Sequence, residues 1–138
     1  MPTSADLLLD TSAALALIRD ADPAHEAVSE AAAGSVLGLA GHALFETFSV
    51  LTRLPGSARL RPDRVAEIME RAFPESVALP AAEALHSTKT FVRAGIAGGA
   101  AYDGLVGLAA RAAGIPLLSC DRRAEPTYAR LGVDVRLV

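Results

Sequence analysis

Short apolar runs and longer amphipathic stretches alternate along the chain, with a different period in each. Leu7-Leu8-Leu9 is a continuous apolar triplet that stops at Asp10-Thr11-Ser12, the pattern of a strand buried on both faces. Val36–Ala40, Ser76–Leu79, Ile115–Cys120 and Asp134–Val138 read as further strands. Between them the spacing turns helical. Ala13–Arg19 is one such stretch, and Asp22-Pro23 offers an N-cap and a first-turn proline to the next, which ends near Gly34. His42–Leu54 is predicted to turn Leu44, Phe45, Phe48 and Leu51 inward, with Pro55-Gly56 as its stop. Pro62-Asp63 opens a helix to about Phe73, Pro80 opens another toward Val92, and Ala100–Ala113 is a small-residue helix ended by Gly114. Gly95–Gly99 reads as a turn, and Asp121–Leu131 as a loop or short helix. Strands separated by helices imply parallel pairing through right-handed crossovers. The expected architecture is a three-layer α/β/α domain around a central, mainly parallel sheet of four to five strands.

Composition narrows this picture without redirecting it. The chain has 138 residues, no internal repeat and no low-complexity linker, so residues 1–138 are expected to form one domain with a sizeable core. Apolar residues make up 51% and the mean hydropathy is +0.34. No apolar run approaches the ~18 residues of a membrane span. Met1–Asp6 lacks the basic flank and apolar region of a secretory signal, and a cytoplasmic location is expected. A net charge of −3 argues against a general polyanion binder, so any nucleic-acid contact must use a local patch. Of the 13 cationic residues 12 are arginine, which suits bidentate phosphate contacts. Aromatics are only 4% and Trp is absent, leaving few platforms on which bases could stack. Cys120 is the single cysteine, which excludes an intrachain disulfide and a cysteine zinc cage; its apolar setting predicts a buried thiol. His25, His42 and His86 show no paired spacing, and zinc ligation by them is not expected.

The candidate chemistry lies in the acids. Ligands gather at the carboxyl ends of strands in open parallel sheets. Asp10 follows the first strand and Asp121 the strand at Ile115–Cys120, while Glu46 and Asp103 fall in first turns of helices. Each alone is explained by the preference of carboxylates for helix N-termini. Together, in segments with few other charges, they would repel one another and raise their own pKa values. A divalent cation resolves that conflict. Magnesium takes oxygen ligands and keeps several waters, and a metal-bound water has a lowered pKa.

Leu7–Ala13 around Asp10, His42–Glu46, Ala101–Leu105 around Asp103, and Ser119-Cys120-Asp121 together resemble the PIN-domain pattern. Order, spacing and length are most similar to VapC toxins of type II toxin–antitoxin systems. The resemblance spans essentially the whole chain. It implies an endoribonuclease dependent on Mg2+ or Mn2+, cytoplasmic, neutralised by a VapB-type antitoxin and commonly a homodimer, with RNA as substrate and no membrane partner. Asp10, Glu46, Asp103 and Asp121 match the family's acidic positions. Thr11 or Ser12 adds a hydroxyl near the metal, and Ser119 matches a small hydroxyl residue before the last acid. The chain departs from many relatives at Asp103-Gly104, where they carry Asp-Ala, and at Arg122-Arg123-Ala124, where they carry an aromatic. Arg122-Arg123 and the Arg59/Arg61/Arg64 group are the candidates for RNA backbone contacts, and Glu125 is a further acid beside the site. The resemblance places antitoxin binding in an apolar groove between the early helices and the helix around Phe45 and Phe48.

Other readings are weaker. A haloacid-dehalogenase phosphatase needs a second Asp where this chain has Ser12. A receiver domain needs an acidic pair and a late lysine, whereas Lys89 is the only lysine. No P-loop or GxGxxG follows a strand. The alternative from another class is a catalytically silent PIN-like module that binds RNA or a protein.

Overall fold

The computed structural model describes residues 3–138; Met1 and Pro2, where the leader reading began, lie outside the described residues. Strand β1 (Leu7–Leu9) leads into helices α1 (Thr11–Ile18) and α2 (His25–Ala32), then strand β2 (Leu37–Leu39). Helices α3 (Ala43–Thr52), α4 (Pro62–Ala72), α5 (Ala81–Ala94) and α6 (Ala100–Ala113) follow. Strand β3 (Leu117–Ser119), helix α7 (Glu125–Arg130) and strand β4 (Val135–Leu137) complete the chain. The sheet has four strands in the order β2-β1-β3-β4, and every pair is parallel.

Because side chains alternate across a strand, the Leu7-Leu8-Leu9 triplet feeds two cores. Leu7 and Leu9 join Val28, Leu39, Leu51, Val65 and Phe73 on the α1–α4 side. Leu8 joins Phe91, Val106, Leu108, Tyr128 and Leu131 on the α5–α7 side. This is the expected three-layer arrangement.

The predicted strand Ser76–Leu79 shrinks to a single parallel bridge between Val77 and Ala40. The Glu75 and Val77 N–H groups donate to the Leu37 and Leu39 carbonyls, so this segment is a fringe on the edge of β2. The flanking Pro74 and Pro80 confine it, since neither has an N–H to extend a ladder. Gly38 permits the approach: a Cβ there would lie 2.0 Å from the Glu75 carbonyl oxygen. Helix α2 starts at His25, not at Pro23, because Asp22 closes a preceding turn by accepting from the Ala24 N–H at 2.9 Å.

The largest departure concerns α3. Its buried face is Ala43, Thr47 and Leu51, one helical stripe at i, i+4, i+8. Leu44, Phe45 and Phe48, predicted to point inward, are exposed, Phe45 to 65%. The second wall of the groove beside Phe45 and Phe48 is Ala66, Met69 and Glu70 of α4, not the early helices. Cys120 is partly rather than fully buried, since it stands one residue beyond the end of β3.

Candidate active site

Asp10 is placed by the local rule that governs helix starts. It is the N-cap of α1, and its Oδ1 accepts the Ala13 N–H at 3.0 Å. The same oxygen accepts the Ser12 hydroxyl at 2.6 Å, and Oδ2 accepts the Tyr128 hydroxyl at 2.8 Å. At 3% exposure this carboxyl is buried, and three donors compensate its desolvation.

Ser12 also ties the ends of β1 and β3 together. Its hydroxyl oxygen accepts the Cys120 N–H at 3.1 Å and lies 3.4 Å from Ser119 Oγ. Ser119 Oγ in turn accepts the Asp121 N–H at 3.1 Å. With the Ser12 proton donated to Asp10, Ser119 is the donor between the two hydroxyls. The result is a continuous chain from the Asp121 amide through Ser119 and Ser12 to Asp10. Both hydroxyl residues therefore act on the acids that the sequence placed beside them. Thr11 Oγ1 is buried without a partner among the described residues.

Asp103 lies in the first turn of α6, half-buried. Its pKa is pushed up to about 6, chiefly by burial and then by the charges of Asp10, Asp121 and Glu46, with Arg123 opposing. No hydrogen bond is among these causes. The four acids from four separate segments thus share one electrostatic site. Glu46 has His42 Nε2 at 3.6 Å from Oε1. Asp121 Oδ1 accepts the Arg123 N–H at 3.0 Å and faces its Nε at 3.5 Å.

The arginines separate into two groups. Arg123 lies beside the acids and Arg122 is exposed next to it. Arg61 is engaged by Asp63 at 3.0 Å and Arg64 by Glu67 at 3.2 Å, while Arg59 donates to the Leu54 carbonyl at 2.9 Å. Glu125 opens α7 and is exposed, its side chain in none of the contacts that tie the four acids together.

Tyr128 and His42 are the site residues that sequence reasoning missed. Tyr128 lies on α7, in a segment whose sequence predicts a loop or short helix, and its phenol reaches Asp10 across 118 residues of chain. Burial and the Asp10 charge push the phenol pKa well above its usual value, so it remains a donor. Gly107 admits this ring: a Cβ there would stand 3.1 Å from Tyr128 Cδ1. Gly104 has a parallel reason, since its Cβ would lie 2.6 Å from the Phe91 ring. The Asp103-Gly104 pair thus follows from the close seating of α5 on α6.

Comparison with known proteins identifies the family and the fold. The PIN domain profile matches residues 7–129. The chain is 40% identical to Ribonuclease VapC27 of Mycobacterium tuberculosis over 94% of each sequence. It is 42% identical to Ribonuclease VapC40 of the same species, covering 94% of this chain and 96% of that one. In fold it resembles the sarcin-ricin-loop-cleaving toxin VapC20 of M. tuberculosis, with a TM-score of 0.70 at 21% identity over 94% of this chain and 98% of the other. It also resembles FitAB bound to a DNA fragment, with a TM-score of 0.71 at 15% identity over 95% and 94%. The profile match over most of the chain and these relatives define a PIN domain. The chain belongs to the PIN-domain family, among relatives named as VapC ribonucleases.

Proposed function

We propose that this protein is a Mg2+- or Mn2+-dependent endoribonuclease of the toxin class, neutralised by a VapB-type antitoxin. The observation that carries the reading is Asp103, a half-buried carboxyl raised to about 6 by burial and three neighbouring acids. Such a cluster opposes folding unless a cation offsets it.

The donor set fits a hard divalent ion. All candidate ligand atoms are carboxylate oxygens, from Asp10, Glu46, Asp103 and Asp121. As the side chains stand, no three His, Cys, Asp or Glu residues among those described close on a common point. Magnesium commonly takes one or two carboxylates and fills its remaining positions with water and phosphate oxygens, so an open cluster is adequate. The ion would supply a water of lowered pKa and neutralise charge on the scissile phosphate.

The chain's own residues then divide the work. Asp10 is held rigid by Tyr128, Ser12 and the Ala13 amide, which gives a ligand of fixed orientation. Asp103 and Glu46 carry fewer fixed contacts and adjust to the ion and substrate. Asp121 is anchored through its own amide to Ser119 and shares Arg123 with the pocket. Arg122 and Arg123 follow β3 at the same edge and meet backbone phosphates; Arg59 and Arg61 are available only if RNA displaces their present partners. The exposed α3 face with its α4 wall, a cavity of about 360 Å³, takes the antitoxin, and the active species is a homodimer in the cytoplasm.

The test uses purified protein and end-labelled RNA in Mg2+, Mn2+ and EDTA, with Asp103→Asn as control. Metal-dependent cuts that vanish with EDTA and fall at least 100-fold in the variant are expected. Cleavage that persists in EDTA refutes the mechanism, and binding without cleavage makes the protein a silent RNA-binding module.

A further inference from the structure

We propose that Tyr102 and His42 form a stacking platform for an unpaired RNA base beside the acids, with Phe45 as its outer edge. This rests on the ribonuclease reading and adds to it a residue-level determinant of substrate choice.

The geometry joins two helices. Tyr102 in the first turn of α6 and His42 at the start of α3 stack with ring centroids 5.2 Å apart and planes inclined by 24°. Phe45 continues the surface, tilted at 56° to His42 with centroids 6.2 Å apart. Each ring is beside an acid in sequence or in space. Tyr102 precedes Asp103, Phe45 precedes Glu46, and His42 Nε2 lies 3.6 Å from the Glu46 carboxylate.

Exposure sets these rings apart from core packing. Tyr102 is 56% and Phe45 65% exposed, in a chain with only four Phe and two Tyr. Phe73, Phe91 and Tyr128 are buried and account for the aromatic contribution to folding. Rings left in water in a chain this poor in them gain little from the fold itself.

Sheet order supplies the fit to RNA. The strands run β2-β1-β3, with α3 after β2, Asp10 after β1 and Arg122-Arg123 after β3. The rings thus lie on one flank of the acids, with Arg122 and the Asp121-paired Arg123 on the other. A nucleotide bound across this edge sets its base on Tyr102 and its phosphates toward the carboxylates and arginines. Sequence-tolerant recognition of single-stranded RNA uses this pairing of π-faces with cationic groups. A double-stranded helix keeps its base faces covered and does not fit.

The experiment measures binding of a labelled 12-nucleotide single-stranded RNA to the full chain carrying Asp103→Asn, so that the probe is not cut. Tyr102→Leu is expected to weaken binding roughly 5- to 150-fold, the range for loss of one stacked base. Tyr102→Phe should retain affinity. An RNA with a single abasic site at the stacked position should bind the protein with Tyr102 intact and the Tyr102→Leu variant with equal, reduced affinity. Unchanged affinity in Tyr102→Leu, or an equal loss for intact and abasic RNA, overturns the proposal. So does intact RNA affinity accompanied by lost neutralisation by a co-expressed antitoxin, which assigns the surface to protein. Cleavage by the parent protein in Mg2+ or Mn2+ is measured in parallel. Ring-dependent binding without cleavage upholds the platform and sinks the nuclease, whereas metal-dependent cleavage with ring-independent binding does the reverse.

Discussion

Replacing Tyr128 by Phe removes one oxygen from the interior and nothing else. The hydroxyl donates to Asp10 Oδ2 at 2.8 Å, and Tyr128 and Asp10 are 0% and 3% exposed. The ring keeps its place against Gly107 in the core that also holds Val106 and Val133, so no large cavity opens. The expected cost is the loss of a hydrogen bond to a buried charge, about 1.5–3 kcal/mol. At about 2.1 cal/mol/K per residue of unfolding entropy, that corresponds to a Tm lower by roughly 5–10 °C. Urea unfolding followed by far-UV circular dichroism measures the cost at equilibrium. A cycle with Asp10→Asn separates the pair from general packing, and a coupling of at least ~1 kcal/mol is expected for a direct contact. Because Tyr128 orients an acid of the proposed site, metal-dependent cleavage should fall with stability held constant by working well below Tm. A Tyr128→Phe protein that unfolds within ~0.5 kcal/mol of the parent would falsify the account of how Asp10 is held.

Two further expectations follow from the same geometry. Asp103 in metal-free protein should titrate near 6 by carboxyl NMR, and Mg2+ should move its midpoint lower. Its folded pKa exceeds the ordinary value, so the folded state binds more protons and stability falls as pH rises from about 4 to about 6. Asp103→Asn should flatten that window; an unchanged slope refutes the assignment. Gly104→Ala places a Cβ 2.6 Å from the Phe91 ring, and overpacking of about 1–3 kcal/mol outweighs the gain of ~1 kcal/mol in helix propensity. Phe91→Leu should recover most of the loss in a double variant, as read by denaturant midpoint, and additive losses would exclude the clash.

The alternation of short apolar runs with helical stretches was sufficient, by itself, for the four sheet strands, the parallel pairing and the three layers. Those follow from continuous apolar runs, the helical period of 3.6 and the chirality of crossovers, all of which are local. The positions of Asp10, Glu46, Asp103 and Asp121 at strand ends and first turns were equally legible, because helix starts and sheet edges have sequence signatures. What the tertiary structure alone decided are contacts between distant segments. The direction faced by α3 is one: its apolar residues form two stripes, and only packing chose Ala43, Thr47 and Leu51 for the interior. Phe45 was thereby left on the surface beside His42, the ring that stacks on Tyr102. The pairing of Ser76–Leu79 with β2 is another, reduced to one bridge at Ala40 between Pro74 and Pro80. The placement of Tyr128 is a third case: its short helix carries no period strong enough to fix it, and its partner is 118 residues away. The acid cluster is a sequence feature, but its support and its flanks exist only once the sheet brings β1, β2 and β3 side by side.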